Sequence, residues 1–441
     1  MRISRLVPPA VGFAALIAAA CTVGVPAAPT QEPTVLQATP TVETGPAESP
    51  AGPAPTPEPT ARRGRPTPVP GLTPTPTPTP SPRSQSDEPP PGFRLPGWDT
   101  DLSKHSVPFG EILSTGLPAD AIPPIDSPVF AGVADAPDYM TGQAPVIALE
   151  INGESKAYPL AILMWHEIVN DETGGVPVAV TYCPLRNTAI IFDRRVDGAT
   201  YTFGTSGFLR NSDLVMWDRQ TESWWQQITG EAIVGELTGA RLGFIAAPVI
   251  SWDDYVAAFP LGKVLTRDTG FSRSYDFPPY RGYDDPDSSP FLFAGTVETG
   301  LPPMERVVGL VINGDSVAYP FTLLDERTVT NDTVGGEPLV IFHVGATRSP
   351  FSVRDSEERK AVGSTGVFEP LVDGEMLIFT DQGGAIVDEE TGSTWNILGQ
   401  ATDGPLRGTR LTPIVHANHF WFAWAAFNPG TTIRTAEDLD G

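Results

Sequence analysis

Cys183 lies in the stretch HEIVNDETGGVPVAVTYCPLRNT (residues 166–188), with His166 and Glu167 at one end and Arg186 and Asn187 at the other. If thiol and imidazole converge, two chemistries open. One is a thiolate nucleophile with His166 as base and Asn187 or backbone amides over an oxyanion. The other is a soft metal site for Cu or Zn, to which His419 would add a third ligand. The plain alternative is a cysteine packed as a small hydrophobe beside a hydrogen-bonded core histidine. Elsewhere Ser206, in the small-residue run FGTSG, and Arg210, Asp213 and Arg219, set among tryptophans in RNSDLVMWDRQTESWWQQ, are candidate ligand contacts alongside Glu167. His416 and His419 stand three apart, a spacing that suits two ligands on one helical turn.

The elements that would carry these residues are legible. Residues 146–151 form an apolar strand that turns at Asn152-Gly153, a hairpin dipeptide. Pro159 suits the first turn of a helix over residues 160–169, apolar on both sides and therefore buried on both. Gly174-Gly175 starts a return strand that ends at Cys183, followed by further segments rich in β-branched and aromatic residues. A short helix with Trp252 and Tyr255 closes the unit. Asn170 and Asp171 are expected to cap the first helix.

This order recurs. VIALEINGESKAYPLAIL at 146 and VVGLVINGDSVAYPFTLL at 307 match at an offset of 161, as do NDETGGVPVAV and NDTVGGEPLVI. FGTSG at 203 resembles VGSTG at 362, DRQTESWW resembles DEETGSTW, and SWDDYVAAFP resembles HFWFAWAAFNP. Five blocks in one order predict a sheet-dominated α+β body of two tandem copies, residues 97–290 and 291–441. At the same offset His166 faces Arg327, Glu167 faces Thr328 and Cys183 faces Val344. Residues peculiar to the first copy are the better functional candidates.

Residues 1–21 read as a signal peptide: Arg2 and Arg5, an apolar run, then AAAC, a lipobox-like end that would make Cys21 the lipidated first mature residue. Residues 22–96, dominated by Pro and Thr, cannot bury a core and read as a disordered, extended linker. An excess of 53 acidic over 28 basic residues argues against nucleic acid as a partner. The membrane is then reached through the N-terminal lipid only, and a small molecule or metal ion is the expected partner.

AYPLAILMWHEIVND, VAVTYCPLRNTAIIFDR, FGTSGFLRNSDLVMWDRQTESWWQQ and FWFAWAAFNP resemble, in order, the blocks of the bacterial family known as domain of unknown function 3179. The resemblance spans roughly residues 108–435 and implies an exported protein or lipoprotein. Relatives often carry Cys-Pro-Leu-Cys where this chain has Cys183-Pro184-Leu185-Arg186. Loss of the second sulfur removes a dithiol redox pair and weakens a metal grip, while Arg186 offers a cation to the thiol or to an anionic ligand. The expectation is an anchored, extracytoplasmic binding module with its site in the first copy. An enzyme using Cys183 and a purely structural envelope module are the alternatives.

Overall fold

The computed structural model describes residues 88–90, 92–93, 97–286, 288–345, 347–353 and 360–440. The leader and most of the Pro/Thr-rich linker, Cys21 included, lie outside them. Sheet dominates the described body, and none of its helices is long and apolar enough to cross a membrane.

In the front part the strand Pro145–Ile151 pairs antiparallel with Glu154–Pro159 across Asn152 and Gly153, both at positive φ. These two form the middle of a five-stranded sheet closed by Val249–Ser251, Lys263–Leu265 and Phe130–Gly132. The helix Leu160–His166 follows Pro159 directly. It is shorter than its apolar periodicity predicts, because Glu167 takes φ +58° and turns the chain into the strand Ile168–Thr173. Asn170 and Asp171 are therefore strand residues, not helix caps. The Asn170 amide bonds both the backbone N–H and the carbonyl of Phe203, and Asp171 accepts from Lys156 and the Tyr158 hydroxyl.

Gly174 and Gly175, both at positive φ, return the chain into the strand Val176–Cys183. A single 3-10 turn, Pro184–Arg186, and Asn187 in the left-handed region then reverse it into Thr188–Asp193. A second sheet thus runs Gly243–Ile245, Thr188–Asp193, Val176–Cys183, Ile168–Thr173. A third contains Phe203–Arg210, Asp213–Asp218, Trp224–Gln226 and Glu231–Val234, with Ile112–Ser114 at its edge.

Between Lys263–Leu265 and Arg306–Ile312 the described residues form neither strand nor helix. From Arg306 a similar sequence of elements appears: the hairpin Arg306–Ile312/Asp315–Pro320, a helical turn Phe321–Leu324, and the hairpin Val329–Val334/Glu337–Val344. The strand Ser364–Glu369 then pairs with Glu337–Val344, in the place that Thr188–Asp193 takes beside Val176–Cys183. This corrects the reading of VGSTG as the counterpart of FGTSG. Phe203–Arg210 opens the third sheet, and its Gly207 lies in a bulge of that strand, not in a loop. Asn331 bonds the backbone of Phe379 as Asn170 bonds that of Phe203.

Candidate functional site

The site is built where the front helix ends and the strand Val176–Cys183 ends. Glu167 follows the helix and stays in register because its carbonyl accepts from the Tyr182 N–H. That pairing sets its side chain beside Cys183. Arg186 is fully buried in the 3-10 turn after Cys183. Asp213, also fully buried, opens the strand Asp213–Asp218.

Arg186 Nη2 donates to the carbonyl of Ala423, on the rear helix Trp421–Phe427, and its guanidinium lies over the Phe427 ring at 4.5 Å. Its Nη1 stands 3.7 Å from Asp213 Oδ1, and neither atom has a hydrogen-bond partner, nor does Arg186 Nε. The other Asp213 oxygen is fully used, accepting from Gln226 Nε2 and the Ile228 N–H. Gln226 Oε1 accepts in turn from Arg210, which is paired with Glu111. Glu167, only 7% exposed, makes no side-chain hydrogen bond. Polar atoms this deeply buried are nearly always satisfied, so the orphaned Arg186 and Asp213 atoms make this place the candidate site.

Electrostatics make the cluster close to neutral. Burial, reinforced by Asp213, pushes the Glu167 carboxyl up to about 8, so it carries its proton at neutral pH. Burial raises the Cys183 thiol well above its usual range, with Asp213 and Glu167 adding to the effect and Arg186 opposing it. Asp213 is likewise raised by burial, against the pull of Arg186. What remains is one Arg–Asp ion pair, a neutral acid and a neutral thiol: fixed donors and acceptors of both kinds.

Other predicted residues go elsewhere. His166 Nδ1 donates to the Pro123 carbonyl at 2.7 Å, and its Nε2 faces the Tyr275 hydroxyl at 2.8 Å. Cys183 Sγ reaches the Ser212 carbonyl at 3.8 Å. Both imidazole nitrogens are thus occupied by other partners, and the expected Cys183–His166 dyad does not form. His419 Nδ1 is bonded to Thr188 Oγ1, and among the described residues no three His, Cys, Asp or Glu side chains converge in a metal-holding group. Asn187 accepts from the Tyr182 hydroxyl, Ser206 donates to the Val215 carbonyl, and Arg219 pairs with Asp120 and Asp126 near the surface.

Sequence reasoning missed the cover. Tyr280 and Tyr283, from the irregular stretch between the two parts, pack against the cluster of buried side chains that contains Cys183. Ser212 Oγ donates to the Phe291 carbonyl of the same stretch. Three tyrosines at 275, 280 and 283 in a segment without periodicity were the available signal.

No curated protein and no solved structure matches this chain significantly. Residues 119–431, which hold the whole Glu167–Cys183–Arg186–Asp213 cluster, match the family described as Protein of unknown function (DUF3179), and the chain belongs to that family.

Proposed function

We propose that this is an extracytoplasmic binding protein, anchored through a lipid on Cys21 and an extended linker, that holds a small uncharged polar ligand at Glu167, Arg186 and Asp213. The body is read as two copies of one unit. The support for that is the shared strand order Ile168–Thr173, Val176–Cys183, Thr188–Asp193, Gly243–Ile245 and Val329–Val334, Glu337–Val344, Ser364–Glu369, Thr412–Pro413. Only the front unit carries the cluster: at the offset of 161 residues, Thr328, Val344 and Thr347 stand where Glu167, Cys183 and Arg186 do.

The observation that carries the ligand reading is the pair of partnerless atoms, Arg186 Nη1 and Asp213 Oδ1, facing each other at 3.7 Å beside a protonated carboxyl. A molecule that both donates and accepts, such as an amide, a polyol or a protonated acid, satisfies all three groups, whereas a free charge would disturb a compensated pair. Calorimetric titration with small amides, polyols and carboxylic acids tests this. At least one class should bind, and Asp213→Asn should weaken it about tenfold or more. If nothing in the panel binds while Asp213→Asn leaves the melting temperature unchanged, the cluster is not a ligand site.

A further inference from the structure

A second cavity, distinct from the buried cluster, lies between the front and rear parts. It encloses about 380 Å³, within the range of small-molecule sites. Ile190 and Phe244 face it from the front part, and Val311, His419, Trp424 and Phe427 from the rear. Its walls are largely apolar and aromatic, with Thr229, His416 and Asn428 adding polar groups beside His419. The one cation on its rim, Arg241, is held at 2.6 Å by Glu231.

His419 gives this cavity a chemical direction. His419 Nδ1 is tied to the Thr188 hydroxyl at 2.8 Å, which fixes the ring and leaves Nε2 as its other polar atom. In a neutral ring Nε2 either accepts or donates one hydrogen bond. Nε2 has no hydrogen bond and is not sealed in the core, and His419 lines the cavity. Burial and the nearby Arg186 push this histidine down to about 3, so the ring is neutral across the physiological range. Trp424 lies against it, with ring centroids 5.1 Å apart. Strand residue Gly309 allows this: a Cβ there would meet the indole at 2.4 Å.

We propose that this cavity is a binding site for a small, uncharged, largely apolar molecule that shares one hydrogen bond, through a hydroxyl, with His419 Nε2, with a flat ring seated against Trp424 and Phe427. It stands apart from the Glu167 cluster and does not depend on the function proposed there.

The probes are p-cresol and toluene, alike in shape and differing in one hydroxyl, titrated into the full-length protein with tryptophan fluorescence or calorimetry as readout. p-Cresol should bind with a Kd of about 1 mM or better and about tenfold more tightly than toluene, the value of one buried hydrogen bond. His419→Phe should bring the two probes to equal affinity. Val311→Trp, at a half-exposed wall position that leaves the core intact, should abolish both. Glu167→Gln should change neither, which separates this site from the polar cluster. Absence of p-cresol binding at millimolar concentration, equal affinity of the two probes for the wild-type protein, or unchanged binding in Val311→Trp would each overturn the assignment.

Discussion

The ring of Phe427 touches two worlds: the fully buried guanidinium of Arg186 lies 4.5 Å from its centroid, and the ring also lines the cavity between the front and rear parts. Arg210 approaches the same ring at 5.2 Å. The aromatic face helps to hold Arg186 where water cannot solvate it. Phe427→Ala should therefore cost about 2 kcal/mol in urea unfolding, since it removes the contacts of a half-buried ring and the screen over Arg186 together. A loss below about 1 kcal/mol would mean that the stacking contributes little.

Glu167 makes stability depend on pH in a defined direction. Its ordinary value is 4.5 and in the fold it titrates at about 8, so between those values the folded chain holds a proton that the unfolded chain releases. Stability then falls as pH rises through that window, by about 4 kcal/mol at pH 8 from this group alone. Glu167→Gln keeps the neutral shape and should flatten the slope. Urea unfolding of both proteins at pH 5 and pH 8 measures it, and identical slopes would show that Glu167 is ionised in the fold.

Cys183 should behave as a core thiol. Burial and two flanking carboxyl groups hold it protonated, so a chromogenic disulfide should label the native protein on the order of a thousandfold more slowly than the denatured one. Rapid labelling at pH 7 would restore the nucleophile reading.

Asp218 and Asp388 hold two turns of the same design. Asp218 accepts from the Thr221 N–H and hydroxyl and from the Trp225 indole; Asp388 accepts from the Thr391 N–H and hydroxyl and from the Trp395 indole. Asp218→Ala and Asp388→Ala should each cost about 3 kcal/mol, because each orphans a buried indole N–H and opens the same turn. Thermal or urea unfolding reads both, and strongly unequal losses would argue that the two turns bear different loads.

Gly309→Ala should displace Trp424, since the added methyl has only 2.4 Å to the ring. The expected cost is about 1–3 kcal/mol, with a shift in tryptophan emission.

Much of this fold is legible in the chain where a local rule acts. Asn152-Gly153 and Gly174-Gly175 signal their hairpins because each needs positive φ, and Pro159 signals the helix start. The helix end is not legible, because Ile168 and Val169 suit a buried strand as well as a buried helix, and a glutamate at φ +58° leaves no mark in the sequence. At the site, the sequence comparison at an offset of 161 singles out Glu167 and Cys183, and these two lie near each other in the fold. The pairing of Cys183 with His166 fails for a long-range reason. The partners of the imidazole, Pro123 and Tyr275, come from irregular segments 43 and 109 residues away, and no periodicity places those. The carbonyl that receives Arg186 is 237 residues distant.

That last bond bears on how the molecule assembles. Because Arg186 donates to a carbonyl of the helix Trp421–Phe427, the front part by itself would leave that guanidinium N–H without its protein partner. The front and rear parts should therefore melt in one cooperative transition rather than independently.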